Sequence, residues 1–149
     1  MADALASVSN GKLYKGQLLN YYYSRRAESA IGVNGQFLIT QGWFGTSPLV
    51  TANPTGGWDI ADIPLDFSNE KLLNKFAECS LICTVSGSTI SINATLPEAD
   101  LPEDKAFDFN TLALVDNKGN IFGVLCCQQD TLHKGKLFTA LMTIEQKVA

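Results

Sequence analysis

The chain has 149 residues, of which 46% are hydrophobic and 17% are charged, and its formal net charge is −4 at pH 7. This length suits one domain with a sizeable core, and the composition is typical of a folded protein, so we expect a single domain over residues 1–149. Nucleic acid is excluded as a partner, because binding it needs clustered Lys and Arg and the one adjacent basic pair is Arg25-Arg26. No apolar run approaches the roughly 18 residues of a membrane span, and residues 1–5 do not resemble a signal peptide, so we expect no membrane span and synthesis in a cytoplasm.

The first predicted element is a helix over residues 13–26. Apolar residues recur there among small and polar ones, and Ser9 or Asn10 is a suitable cap. The helix contains Tyr21, Tyr22 and Tyr23 in succession. At about 100° per residue, three consecutive side chains span roughly 200° of a helix, which is wider than the apolar stripe of one core. At least one tyrosine is therefore expected to face a partner, although phenolic tips that reach water explain the pattern equally well.

A short strand is predicted next, over residues 36–40, and it leads to Trp43 and Phe44. Residues 45–66 contain three prolines, two adjacent glycines and Trp58, which predicts a long ordered loop. Loops of this length in compact domains are usually functional or interfacial, and a disordered tip is the alternative. Trp43, Phe44 and Trp58 are therefore candidate partner-binding residues, together with the three tyrosines.

A second, short helix is predicted over residues 68–76. Ser68 is a suitable cap, Glu70 places an acid in the first turn, and apolar residues follow at the spacing of one helical face.

The rest of the chain predicts strands. Residues 80–85 and 89–96 form one expected hairpin, in which apolar and polar residues alternate, and residues 107–115 and 121–127 form a second hairpin around a turn rich in Asn and Gly. Residues 137–144 predict a final strand, and an acidic linker occupies residues 98–104. Consecutive hairpins indicate an antiparallel sheet, so the expected fold class is α+β, with the N-terminal helix and the short second helix packed on that sheet.

Neither a catalytic nor a metal-binding constellation is evident. The single histidine, His133, lies in a polar stretch read as a loop, and Cys79 and Cys83 are spaced too widely for one half of a zinc site. Cys126 and Cys127 are neighbours in the chain, and all four cysteines are expected to be reduced and buried. We therefore expect no metal, no cofactor and no enzymatic activity, with a reactive cysteine as a remote third alternative.

Four segments carry a resemblance to a known family. Residues 11–15, 37–45, 92–97 and above all 107–124 resemble the N-terminal domain of phage tail-collar fibre proteins. Two features depart from that family: Gly45 is not followed by the usual Gly-Asp-Gly element, and the fibre shaft is absent after Ala149. The resemblance implies a stand-alone attachment or adaptor protein of the virion tail, which joins a tail fibre to the tail or baseplate.

The same resemblance implies that the partners are other phage tail or baseplate proteins and that the chain forms a homo-oligomer, a trimer where it holds a trimeric fibre. A competing hypothesis is a ligand-binding module for carbohydrate. Trp43, Trp58 and the tyrosines would then provide stacking faces, although core packing is the favoured role for them.

Overall fold

A computed structural model describes residues 4–8, 14–96, 101–102, 105–134 and 138–145. These residues contain one α-helix, α1 (Asn20–Ala30). The strands are β1 (Ala4–Val8), β2 (Tyr14–Leu18), β3 (Ile39–Thr46), β4 (Val50–Ala52), β5 (Trp58–Ile60), β6 (Leu73–Ser86), β7 (Thr89–Leu96), β8 (Ala106–Asp116), β9 (Ile121–His133) and β10 (Phe138–Glu145).

The expected α+β class with two helices is wrong, because the protein is mostly β. The first helix begins at Asn20, since Tyr14–Leu18 pairs with β9 as an antiparallel strand. The second predicted helix is a single 3-10 turn at Asn69–Lys71, after which the chain continues as β6 and pairs with β3. The apolar spacing in residues 68–76 did not mark a buried helical face, since Leu73 is exposed. Pairing with neighbouring strands overrides the local helical preference.

Eight strands form one antiparallel sheet in the order β1-β10-β7-β6-β3-β8-β9-β2, while β4 and β5 form a separate hairpin. The two outermost strands, β1 and β2, contact each other, so the sheet is curled. The predicted hairpins are confirmed as β6–β7 and β8–β9, and the predicted final strand as β10. β9 is longer than expected, because it continues to His133 through the stretch that was read as a loop.

The sheet has a core on each face of its β3-β8-β9 half. Within β8, Leu112 and Leu114 belong to the core enclosed by the curl, which we call the inner core. Ala113 and Val115 point to the opposite face and belong to a second cluster, the outer core. This alternation is the ordinary geometry of a strand. Because both faces are covered, residues 109–116 of β8 are all buried.

The segment 45–66, predicted as a long ordered loop, contains the β4–β5 hairpin. Val50 of β4 and Ile60 of β5 are buried in the outer core, so this hairpin covers the outside of the sheet. The other half of the sheet has no such cover in the described part of the chain. There, Ile82 and Leu141 flank Asn93 in register on the outer face, and 67% and 48% of these two side chains are exposed. The predicted acidic linker falls largely outside the described residues.

Gly45 of β3 permits a close approach of the backbone of β6. A Cβ atom at this position would lie 2.6 Å from the carbonyl oxygen of Leu73, and a backbone atom in a sheet cannot move aside easily. Gly45→Ala is therefore expected to lower the free energy of unfolding by about 1–3 kcal/mol in urea denaturation, because the strands must separate locally. Gly123→Ala is the matched control, since its Cβ would meet atoms no nearer than 3.4 Å. Equal stability losses in the two variants would contradict the prediction.

Candidate interaction surface

The three consecutive tyrosines of α1 have different environments. Tyr22 is buried in the inner core, where its ring lies 5.6 Å from that of Phe37 and 5.9 Å from that of Phe122. Burial, and secondarily the neighbouring Tyr23, raises the pKa of Tyr22 to about 12. Tyr21 and Tyr23 are half-buried, so these two retain a surface that another molecule can contact.

Tyr21 is held by a network centred on the buried carboxylate of Asp116. The phenol donates a hydrogen bond of 2.7 Å to Asp116 Oδ2, and burial is the main cause that raises the pKa of Tyr21. Asp116 Oδ1 accepts hydrogen bonds from the backbone N–H groups of Lys118 and Asn120 at 3.0 and 3.1 Å. Arg25 Nε lies 3.8 Å from Asp116 Oδ2, beyond hydrogen-bond distance. The network ties α1 to the β8–β9 turn.

The other three aromatic candidates lie on opposite faces of the sheet. Phe44 is fully buried in the inner core, whereas Trp43, one residue earlier, packs against the outer core. The ammonium of Lys75 lies 4.1 Å from the centroid of the Trp43 ring, and the indole N–H donates to Gln41 Oε1 at 3.2 Å. Trp58 is half-buried against the outer core. The six candidates therefore do not form one patch, and Tyr22 and Phe44 are core residues.

This geometry bears on the carbohydrate hypothesis. Sugar rings bind to open aromatic faces, but a lysine covers one face of Trp43 and the outer core takes up part of Trp58. No contact in the described residues favours a glycan over a protein partner.

Sequence reasoning missed an apolar groove between α1 and the β6–β7 hairpin, which we call the helix–hairpin groove. Its volume is about 780 Å³, within the range of protein ligand sites. Two of its apolar side chains are strongly exposed, Leu38 at 46% and Val85 at 71%. The lining comprises Tyr22, Arg26, Ser29, Ala30, Gln36, Phe37, Leu38, Ile39, Cys83, Thr84, Val85 and Ile90.

The groove exists because the chain before β3 turns away from β6. Pairing between β3 and β6 stops at Gln41 and Ser80. Before Gln41 the chain is held next to Asn117, on the side away from β6. The N–H of Leu38 donates to Asn117 Oδ1, and the carbonyl of Leu38 accepts from the N–H of Asn117. The carbonyl of Gln36 accepts from Arg25 and from the Asn117 amide. The sheet is therefore split beside residues 81–86 of β6.

The four cysteines are all reduced, and burial was correctly predicted for two of them. Cys126 and Cys127 are buried, Cys79 is half-buried, and Cys83 is exposed in the groove. Burial raises the pKa of Cys126, whose sulfur lies 3.7 Å from Thr111 Oγ1 and has no base beside it among the described residues. His133 lies at the far end of β9, and seven strand residues span roughly 20 Å. This arrangement does not activate a nucleophile.

Native alkylation with N-ethylmaleimide should therefore label Cys83 first and leave Cys126 and Cys127 unmodified until the chain unfolds, as mass spectrometry of peptides would show. Although Cys83 is exposed as a residue, its thiol is partly buried, and this burial raises the pKa of the Cys83 thiol. Because the thiolate is the reactive form, its labelling rate should increase with pH through and above the pKa of an ordinary thiol. Labelling of Cys126 before Cys83 would contradict the prediction.

Neither a metal centre nor a membrane-spanning helix occurs among the described residues. No group of three or more His, Cys, Asp or Glu side chains there could hold a metal ion. No helix there combines the length and apolar character needed to cross a membrane.

Two comparisons with known proteins found a match. A family model described as "Bacteriophage P1 tail fiber protein R" matches residues 1–149. Tail fiber protein R of Escherichia phage P1 is 42% identical over 137 residues, which cover 92% of this chain and 95% of that protein. No solved structure matches the chain significantly. The expectation of a phage tail fibre-related protein is thereby confirmed.

Proposed function

Because the chain belongs to the bacteriophage P1 tail fiber protein R family, we propose that it joins a tail fibre to the tail or baseplate of a virion through protein–protein contact. The observation that carries the proposal is the similarity over nearly the full length of both chains, together with a family model that spans residues 1–149. The chain acts as a structural protein of the tail without enzymatic activity or cofactor, and residues 1–149 act as one domain.

The exposure of the aromatic residues indicates which of them bind neighbouring tail proteins. Tyr21 and Tyr23 of α1 are half-buried, and so are Trp43 and Trp58 over the outer core, so each retains some exposed surface. Tyr and Trp, together with Arg, are the residue types enriched among the residues that dominate binding energy at protein interfaces. We assign the contacts to these four residues and leave out Tyr22 and Phe44, which the inner core encloses. The protein acts as a homo-oligomer, a trimer where the fibre it holds is trimeric.

The test uses the phage that encodes the chain. With an epitope tag on this protein, immunogold electron microscopy should label purified virions at the junction between fibre and tail, and deletion of its gene should give particles whose tails lack attached fibres. Light scattering of the purified protein should give a defined oligomer. Absence of the protein from purified virions, or fibres that stay attached after deletion, would refute the role.

Variants separate a contact role from a stability role. Trp58→Ser should reduce the number of fibres per particle, whereas Thr55→Ser should not, because Thr55 lies in the loop of the same hairpin and the change of its exposed side chain is conservative. Equal fibre counts for both variants would remove Trp58 from the proposed contact surface.

A further inference from the structure

We propose that the helix–hairpin groove binds an extended segment of a partner polypeptide, which adds as a new strand to the open edge of β6 between Ile82 and Ser86. This deepens the proposed function, on which it rests for the identity of the partner as a tail protein. The argument starts from the backbone, because main-chain groups on an open strand edge recognise one kind of occupant, another strand.

The β6–β7 turn determines which backbone groups face the groove. Ser86 and Thr89 flank a two-residue loop in which Gly87 has a φ of 59°. In such hairpins the flanking residues form a hydrogen-bonded pair, and pairs along an antiparallel ladder alternate between hydrogen-bonded and not. The N–H and C=O groups of Leu81, Cys83 and Val85 therefore point away from β7. On that side the last pair with β3 is Gln41 with Ser80, which places Leu81 at the end of the β3–β6 ladder. Beyond it, the groups of Cys83 and Val85 have no strand partner in the described part of the chain.

This edge lacks the features that normally prevent pairing. Proteins protect strand edges with Lys, Pro, bulges or a covering loop. Residues 81–86 contain neither a charged residue nor a proline, and the register with β7 is continuous from Leu81 to Ser86. Val85 exposes 71% of its surface beside the edge. An uncharged, apolar and regular edge of this kind is suited to adding a strand.

The lining of the groove defines the chemistry of the partner. Apolar side chains such as Phe37, Leu38 and Ile90 line the side toward the inner core, so the added strand should carry an apolar side chain at every second position. Among the described residues of the lining, Arg26 alone is charged, and its guanidinium lies 5.5 Å from the centre of the Tyr22 ring. A carboxylate on the partner segment complements this positive charge.

A second copy of the chain fits the groove less well than a single extended segment. The β6 edge forms one side of the groove, and residues 36–39 with the end of α1 form the other. Symmetric pairing of two β6 edges would bring two such walls into the same space, because each copy carries its own. A single strand has no wall of its own and can enter between the two sides.

The proposal can be tested by selecting linear peptides of ten randomised residues, in mRNA display, against the purified full-length chain. Enriched peptides should alternate apolar and polar residues and include an acidic residue. They should slow alkylation of Cys83 by N-ethylmaleimide at least tenfold at saturation. Val85→Lys should weaken their binding at least tenfold, whereas the matched control Ile82→Lys, on the opposite face of the same strand and similarly exposed, should change it less than twofold.

Peptides methylated on alternate backbone nitrogens test the backbone contact without altering the protein, so the test does not depend on how Val85→Lys folds. One of the two methylation registers should abolish binding, although the side chains are unchanged. Failure to enrich any peptide, equal binding to Val85→Lys and Ile82→Lys in folded proteins, or full binding in both methylation registers would overturn the proposal. These outcomes leave the virion experiment unaffected, and loss of virion labelling would leave the groove result unaffected.

Discussion

Asp116→Ala should lower the free energy of unfolding by about 3–5 kcal/mol, because it removes the carboxylate that faces a buried arginine. The side chains of Arg25 and Asp116 are 3% and 0% exposed, and Arg25 Nε already lacks a hydrogen-bond partner. Without Asp116, the guanidinium keeps Glu28 and two backbone carbonyls as partners, but its buried edge faces no negative charge. Urea denaturation followed by tryptophan fluorescence would measure the loss.

Asp62→Ala is the control, since Asp62 pairs with Lys15 at 3.0 Å but is fully exposed. Exposed ion pairs of this kind contribute little, so no measurable change is expected. Asp116→Asn separates the contribution of the negative charge to stability from that of the hydrogen bonds. Its amide oxygen can still accept from the N–H groups of Lys118 and Asn120, but the negative charge is lost. If Asp116→Ala were as stable as Asp62→Ala, the network would not anchor α1.

Phe44→Ala should lower the free energy of unfolding by about 3–5 kcal/mol, the usual cost of removing a large ring from a closed core. Phe44 is fully buried, and its ring centre lies 5.5 Å from that of Phe109 and 5.4 Å from that of Phe138. The same denaturation measurement applies. Since Phe44 was a candidate contact residue, the result also separates two roles: a contact residue would affect fibre attachment, and a core residue affects stability.

Ile82→Ala is the control for Phe44, because Ile82 belongs to the same sheet but exposes 67% of its surface. Substitutions at such sites usually change stability by about 0.5 kcal/mol or less. A loss for Phe44→Ala no larger than that for Ile82→Ala would mean that the inner core is not closed around this ring.

Hairpins were predictable from the sequence because their signals are local. Alternation in residues 89–96 and the Asn and Gly residues after Asp116 specify strands and a turn within a few residues of each other, and the structure has both hairpins. The start of α1 was not predictable in this way. Residues 14–18 are a strand because they pair with β9, more than 100 residues away in the chain, and α1 has no side-chain cap to mark its beginning.

The aromatic candidates show the same limit. Helical geometry indicated that three adjacent tyrosines would not all face one core, and the structure buries one of the three. Which one is buried depends on where the inner core lies, and that is decided by the curl of the sheet. The helix–hairpin groove could not be predicted from the sequence for a related reason. Residues 36–39 and 82–85 are far apart in the chain, and the split between them arises from hydrogen bonds to Asn117.

The pairing of β1 with β10 has a consequence for how the protein folds. Ala4 pairs with Glu145 and Val8 with Leu141, so strands more than 130 residues apart in the chain are neighbours in the sheet. Contacts between distant parts of a chain slow folding, because a long loop must close before they form. The edge of β10 that β1 covers is therefore expected to be among the last edges of the sheet to close, after the loop between the two strands has formed.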